Sequence, residues 1–262
     1  MKNNIISEHN GSFEIKFGQR AIIIGERYRK TLEEPLKNRG IMAIWMPDNK
    51  NVDLRIAAHA DISAFVLRRC REEIMQGHKR CERGKIILAE NLRCLGSINS
   101  YLINNYDILS PQSEPRGDYP GDVSLCACKI GNRVICNERT TDESITSSGI
   151  EVIGVRQGYA KCSVCVVSDN AVITSDSGIA AALDGSSVDV LKIAQGHIRL
   201  DGFEYGFIGG ASFKMNDTVY LTGRLNEHPD GNEIERFIFS HGSEIEYLTD
   251  LEAFDIGGAV VV

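Results

Sequence analysis

The chain has 262 residues, of which 42% are hydrophobic and 25% are charged. This make-up is typical of a soluble globular protein and gives room for one large domain or two small ones. The formal net charge of −7, with lysine and arginine scattered along the chain, provides no basic surface for a phosphate backbone. We therefore expect no nucleic acid among the partners.

No segment approaches the roughly 18 to 20 uninterrupted apolar residues that a membrane span needs. Residues 1–9 also lack the apolar core of a secretion signal. We expect a cytoplasmic protein with no membrane contact. Its eight cysteines are expected to be mostly reduced and buried, because a chain of this size can bury enough surface without disulfides.

The predicted elements repeat one order along the chain: two strands joined by a turn, a helix that ends at glycine or asparagine, and a further strand. In chain order the units occupy residues 20–46, 58–110, 121–155, 159–193, 206–250 and 254–262. Two strands for each helix argue against a TIM barrel or a doubly wound sheet, in which strands and helices alternate one to one.

The clearest unit has strands at 161–167 and 171–174, joined by the turn residues Ser-Asp-Asn. A helix at 177–183 ends before Gly185, where glycine takes a left-handed conformation at low cost. A strand at 188–193 completes the unit.

The unit at 20–46 has no opening strand, and the unit at 254–262 consists of an opening strand alone. Pairing the two completes a fifth unit and removes exposed sheet edges. We therefore predict a single α/β domain over residues 1–262, a five-bladed α/β-propeller of ββαβ repeats closed by the C-terminal strand. Apolar and polar residues also alternate at 13–17. This run could form a hairpin with residues 21–24 and would then take the place of the C-terminal strand.

Small or polar residues open each repeat. They are His59-Ala-Asp61, Gly121-Asp-Val-Ser124, Lys161-Cys-Ser163, Ile208-Gly-Gly210 and Ile256-Gly-Gly258. With the fivefold repeat, these elements resemble the pentein superfamily of guanidino-group-modifying enzymes over residues 12–262, in a bacterial branch of unknown function. The resemblance implies a central pore where acids hold a guanidinium group, a histidine relays protons and a cysteine attacks the guanidino carbon.

By this resemblance His59 would be the acid–base residue and Asp61 a substrate-binding or orienting carboxylate. A histidine and an aspartate that tie strand ends together by hydrogen bonds remain the alternative. The chain departs from the deiminases at its C-terminus, since no cysteine follows Cys165. Aligning the hairpins places Cys162 at a pore-proximal position, where it could be a relocated nucleophile with a pKa lowered by Lys161, or an inert strand cysteine.

Further small-molecule contacts in the pore are predicted at the openings of the repeats, at Asp122, Ser124, Lys161, Gly209 and Gly210, and at Asp176, an acid that follows a second strand. The competing interpretation is that the charged residues cap helices and that the glycines let backbones approach closely. Cys162 and Cys165 are not expected to form a redox pair, because strand residues three apart face opposite ways. Cys126 and Cys128 lack an obvious second ligand pair, so we predict no metal and no cofactor.

Two functions remain open. One is a cysteine-dependent hydrolase or transferase that acts on a guanidine-like or amine-bearing small molecule. The other is a catalytically inactive pentein that serves as a binding or interaction module, which the missing C-terminal cysteine favours. The charged insertion at 68–84 could form a helix or hairpin for self-association, although we expect a solvated excursion.

Overall fold

The computed structural model describes residues 21–75, 78–93 and 100–262. The competing run at 13–17 therefore lies outside the described residues. In the described part of the chain, the strands form five three-stranded sheets and one two-stranded hairpin.

Each three-stranded sheet has the same construction. Its first strand is antiparallel to the second, and the third is parallel to the second. The five sheets are β17 (Val260–Val261), β1 (Ala21–Gly25) and β2 (Met42–Met46); β3 (Ala64–Arg68), β6 (Gly84–Leu88) and β7 (Tyr106–Leu109); β8 (Cys128–Ile130), β9 (Arg133–Cys136) and β10 (Glu151–Gly154); β11 (Val164–Ser168), β12 (Ala171–Thr174) and β13 (Asp189–Lys192); β14 (Ser212–Met215), β15 (Thr218–Leu221) and β16 (Glu244–Tyr247).

The insertion forms the two-stranded hairpin of β4 (Arg71–Met75) and β5 (His78–Glu82). Helices connect the second strand of each sheet to the third, as the repeat predicts. They are α1 (Arg29–Asn38), α2 (Glu90–Arg93) with α3 (Ser100–Asn105), α4 (Glu143–Thr146), α6 (Ser177–Leu183) and α7 (Gly231–Ser240). None of the helices in the described ranges combines the length and apolar character that crossing a membrane requires.

The hydrophobic core of the described residues is divided among clusters, five of which each join two sheets. One cluster contains Ile23 of β1 and Ile86 of β6, while Ile22 of β1 belongs to another, which contains Tyr220 of β15. Neighbouring residues of a strand point to opposite faces, so β1 contributes to the core on both sides and is fully buried. Three further clusters join the second sheet to the third, the third to the fourth and the fourth to the fifth.

The predicted pairing of the C-terminal strand with the first strand is present. Ile22 lies opposite Val261 and Ile23 opposite Val260, in antiparallel register. The amide of Val262 also donates to the carbonyl of Ala21 over 3.1 Å.

The predicted opening strands begin too early. Cys162 lies in a short helix, α5 (Ala160–Ser163), Asp61 in a 3-10 turn (Ala60–Ile62), and Gly210 in a turn before β14. The backbone groups of these turns bond to one another rather than to a strand ladder: the Gly210 amide donates to the Cys162 carbonyl over 2.8 Å, and the Ile256 amide to the Gly210 carbonyl over 3.0 Å. Buried backbone groups must be paired, and here neighbouring turns provide the partners.

Candidate functional site

Five polar side chains from the opening turns meet in the interior. They are His59, Asp61, Cys126, Cys162 and Asp255, which we call the thiol–carboxylate cluster. None of them is more than 3% exposed. The turns position them because close backbone contacts bring the chain segments together, as in the bond from the Asp61 amide to the Gly257 carbonyl over 3.3 Å.

Both thiols of the cluster face the Asp61 carboxylate. The sulfur of Cys162 donates to Oδ2 of Asp61 over 2.7 Å, and the sulfur of Cys126 lies 3.6 Å from the same oxygen. Burial raises the pKa of Asp61, although the nearby charges of His59 and Lys161 act in the opposite direction. The pKa of Cys162 is raised well above its usual value by its hydrogen bond with Cys126, by burial and by the charge of Asp61.

Lys161 interacts electrostatically with Cys162, but this does not bring the pKa of the thiol below its usual value. The Lys161 ammonium donates to the Gly209 carbonyl over 3.1 Å. Burial alone would lower the pKa of Lys161, but the acidic groups around it, Cys128 and Asp61 first, outweigh this effect and raise it.

His59 and Asp255 form a second group around the Cys162 sulfur. One ligating atom from each of His59, Cys162 and Asp255 falls within 4.8 Å of the other two. Asp255 is held firmly, because Oδ1 accepts from the Gly257 amide and Oδ2 from the Phe207 amide, both over 2.8 Å. In contrast, Nε2 of His59 and Oδ1 of Asp61 are buried without a hydrogen-bond partner.

A cavity of about 1240 Å³ borders the cluster. Its walls include residues from the first strand of each three-stranded sheet, among them Val66, Lys129, Val166, Lys214 and Val260. Asp61 and Lys161 also line it. Asp61 lines the cavity and also contacts both buried thiols, so this residue connects the cavity to the thiol–carboxylate cluster.

Two of the predicted pore contacts are engaged in local hydrogen bonds. The hydroxyl of Ser124 donates to the Ser113 carbonyl over 2.8 Å. Asp176 caps helix α6, since its Oδ1 accepts from the Ile179 amide over 2.9 Å, while its Oδ2 accepts from the side chain of Gln157. For Asp176 the structure thus provides the helix-cap role that was the competing interpretation.

Asp122 is buried and pairs with a tyrosine. Its Oδ2 accepts from the hydroxyl of Tyr159 over 2.6 Å, and its Oδ1 has no partner. Burial raises the pKa of Asp122, and the hydrogen bond from Tyr159 partly offsets this.

The predicted glycines sit where backbones and side chains approach closely. A Cβ at Gly209 would lie 2.3 Å from the Val164 carbonyl oxygen, and one at Gly210 would lie 2.0 Å from Oδ1 of Asp255. A Cβ at Gly257, where φ is +71°, would lie 2.2 Å from the Cβ of His59. These positions exclude side chains, in keeping with the close-approach interpretation.

Sequence reasoning missed Cys126 and Asp255 as members of the cluster. A signal for Asp255 was available, because the hairpin alignment that pairs Cys162 with Ser124 and Gly257 also pairs Asp255 with Asp122. No such signal existed for Cys126, whose role depends on the turn that precedes β8.

Comparison with known proteins assigns the chain to a family. Residues 23–260 match the model of a family described as a family of unknown function, DUF6873. The chain belongs to the DUF6873 family. No curated protein matches it.

Several solved structures are similar to this DUF6873 member at low sequence identity. A DDAH from Pseudomonas aeruginosa, a mutant in complex with citrulline, has a TM-score of 0.51 and 10% identity over 93% of this chain and 97% of that one. A C. jejuni agmatine deiminase with substrate bound has a TM-score of 0.49 and 9% identity, covering 93% of each chain. An amidinotransferase from Microseira wollei has a TM-score of 0.41 and 10% identity, over 88% of this chain and 82% of that one. The chain thus has an α/β fold that matches pentein-fold structures.

Proposed function

We propose that this protein is a cysteine-dependent hydrolase or transferase that acts on a guanidine-like or amine-bearing small molecule, with Cys162 as the nucleophile. One observation carries the proposal: the Cys162 sulfur, a histidine and two carboxylates meet within one buried cluster. That combination provides a nucleophile, an acid–base group and counter-charges for a planar cation. The match to the fold of a DDAH structure supports it.

The site residues have distinct roles in this reaction. A guanidinium group binds between the carboxylates of Asp61 and Asp255, and its positive charge lowers the pKa of the adjacent Cys162 thiol. Asp61, 2.7 Å from the sulfur, takes the thiol proton. The thiolate then attacks the guanidino carbon and forms a C–S bond, while a C–N bond breaks and the leaving amine takes a proton from the His59 imidazolium.

The covalent intermediate is then resolved at the same carbon. Neutral His59 accepts a proton from an attacking water, the C–S bond breaks and the sulfur is released. In a transferase an acceptor amine replaces the water. The substrate enters from the cavity, which Asp61 and Lys161 line.

We also propose that the five three-stranded sheets form a ring, as a five-bladed propeller closed by β17. The five clusters that join successive sheets, including the one that joins the fifth sheet to the first, support this arrangement. So does the cavity, whose walls draw on the first strand of all five sheets. In such a ring the opening turns face one centre, which explains why residues from distant repeats meet.

The reaction is tested by labelling with 2-chloroacetamidine, whose amidinium group resembles a guanidinium and whose chloride is displaced by a thiolate. We expect peptide mass spectrometry to find Cys162 modified first, and Asp61→Asn to slow the labelling. Cys136→Ser is the matched control, since Cys136 is also a buried free cysteine but lies in a different core cluster. Equal labelling of all the cysteines, or a rate unaffected by Asp61→Asn, would contradict the proposal.

Burial of the whole cluster and the raised pKa of Cys162 favour the second candidate function, a binding module without chemistry. It is distinguished by incubating the protein with a panel of guanidines. A rise in Tm without release of ammonia or amine supports the binding module, whereas turnover that is lost in Cys162→Ser supports the enzyme.

A further inference from the structure

The proposed reaction leaves Cys126 without a role, yet its thiol is held in the centre of the cluster. Asp61, Cys126 and Cys162 each place one ligating atom within 4.8 Å of the other two, and all three are buried. They come from three separate turns, so no local motif explains their meeting. His59, which adjoins the same Cys162 sulfur, has a buried Nε2 without a partner.

We propose that this cluster binds one thiophilic divalent cation, of which Zn²⁺ is the best match. Asp61, Cys126 and Cys162 are the three protein ligands. Two thiolates and a carboxylate form a ligand set that tetrahedral Zn²⁺ accepts, with water in the fourth position, whereas Mg²⁺ and Ca²⁺ prefer oxygen ligands. The inference does not rest on the proposed reaction, in which Cys126 takes no part.

The distances suit this coordination with a small adjustment. Around a tetrahedral Zn²⁺, a sulfur and an oxygen ligand lie about 3.6 Å apart and two sulfurs about 3.8 Å. The 3.6 Å between Cys126 and Asp61 already has this value. The 2.7 Å between Cys162 and Asp61 would open by about 0.9 Å when the metal replaces the thiol proton.

Unsatisfied polar atoms provide a second, independent argument. Buried polar groups nearly always have a partner, because leaving one unpaired costs stability. In the thiol–carboxylate cluster, Nε2 of His59 and Oδ1 of Asp61 lack one. A cation at this point would neutralise the carboxylate to which the unpaired Oδ1 of Asp61 belongs.

The metal also offsets the charge of its ligands. Two thiolates and the Asp61 carboxylate carry three negative charges, against two positive charges on the metal and one on Lys161, which interacts electrostatically with both Asp61 and Cys162. Asp255 adds one negative charge, which the two backbone amides that donate to its oxygens stabilise without cancelling it. The loaded site thus meets most of the demand that burial in a low-dielectric interior makes on charged groups.

The sequence prediction of no metal is at odds with this inference for a definite reason. That prediction considered only pairs of ligands close together in the sequence. Neither Cys126 with Cys128 nor Cys162 with Cys165 has the pattern of a metal-binding pair. The cluster instead takes one ligand from each of three repeats. Cys128 and Cys165 are absent from it.

The test is a cobalt titration of the full-length, metal-stripped protein under reducing conditions. Co²⁺ bound by thiolates gives a charge-transfer band in the near ultraviolet. We expect the band to saturate at one ion per chain, and Zn²⁺ to abolish it by displacement. Cys126→Ser and Asp61→Asn should each weaken binding at least about 100-fold, more than the loss of an outer-shell partner does. Cys136→Ser should bind as the unmodified chain does.

A saturable band that persists in Cys126→Ser, or no band in the unmodified chain, would overturn the inference. Circular dichroism of each variant establishes that it is folded, and Zn²⁺ should raise the Tm of the unmodified chain and of Cys136→Ser but not that of Cys126→Ser. Failure of the proposed reaction is distinguishable. Selective labelling of Cys162 that survives Cys126→Ser supports the reaction whatever the metal result.

Discussion

Gly210 faces Asp255 so closely that a methyl group has no space there. A Cβ at this position would lie 2.0 Å from Oδ1, 2.3 Å from Cγ and 2.4 Å from Oδ2 of the carboxylate. Asp255 is fixed in this position by two backbone amides, since Oδ1 accepts from Gly257 and Oδ2 from Phe207, both over 2.8 Å. Gly210→Ala must therefore displace the carboxylate from its two backbone amides.

The magnitude follows from these contacts. Each buried donor left unpaired costs about 1–3 kcal/mol, and overpacking adds about 1–3 kcal/mol. We expect Gly210→Ala to lower the free energy of unfolding by about 3–9 kcal/mol, a large part of the roughly 5–15 kcal/mol that typical domains have. Urea denaturation followed by circular dichroism measures this difference.

Gly185→Ala is the control for the loss of glycine itself. Gly185 has a φ of +72° with no atom within 4 Å of its Cβ position. Gly185→Ala therefore lowers the free energy of unfolding only through backbone strain, by about 1–2 kcal/mol. Gly210 has no such positive φ, and its cost is steric. If Gly210→Ala is no less stable than Gly185→Ala, the proposed fixation of Asp255 is wrong.

Two further predictions concern predicted pore contacts. Tyr159→Phe removes the hydrogen bond that lowers the pKa of Asp122, so that pKa should rise further above 3.8 in an NMR titration. Because the pKa of Asp122 is raised in the folded state, ionising this carboxyl costs stability. The cost develops as pH rises from 3.8 through the folded-state pKa. The variant should therefore lose about 1–3 kcal/mol at neutral pH and less in acid, and a gap that does not depend on pH contradicts this. Asp176→Ala removes the cap of α6 and should cost about 1 kcal/mol in urea denaturation. The rate at which Cys162 is labelled should be the same in this variant as in the unmodified chain. A slower rate would indicate that Asp176 contacts the substrate after all.

The regular elements could be predicted because their signals are local. The strand and helix expected at 171–174 and 177–183 are present as Ala171–Thr174 and Ser177–Leu183, and Gly185 has the positive φ expected after the helix. The pairing of Val260 with Ile23 could be predicted because an incomplete repeat needs a missing strand.

The opening turns could not be predicted in the same way. Small and apolar residues such as those around Cys162 are buried equally well in a strand or in a turn, so their pattern does not distinguish the two. The conformation is decided by bonds to turns elsewhere in the chain, for example from the Gly210 amide to the Cys162 carbonyl. Cys126 joined the cluster for the same reason, and its thiol could not be placed without the fold.

The sheet made of β17, β1 and β2 has a consequence for how the chain folds. Ile23 and Val260 are opposite one another in that sheet but more than two hundred positions apart along the chain. Closing a loop of that length costs about 5 kcal/mol of chain entropy if the intervening segment is still unfolded. The cost falls steeply once the other four sheets have formed, since their folded length is far shorter. We therefore expect this sheet to be completed late, and the kinetics to be slowed by its long-range pairing.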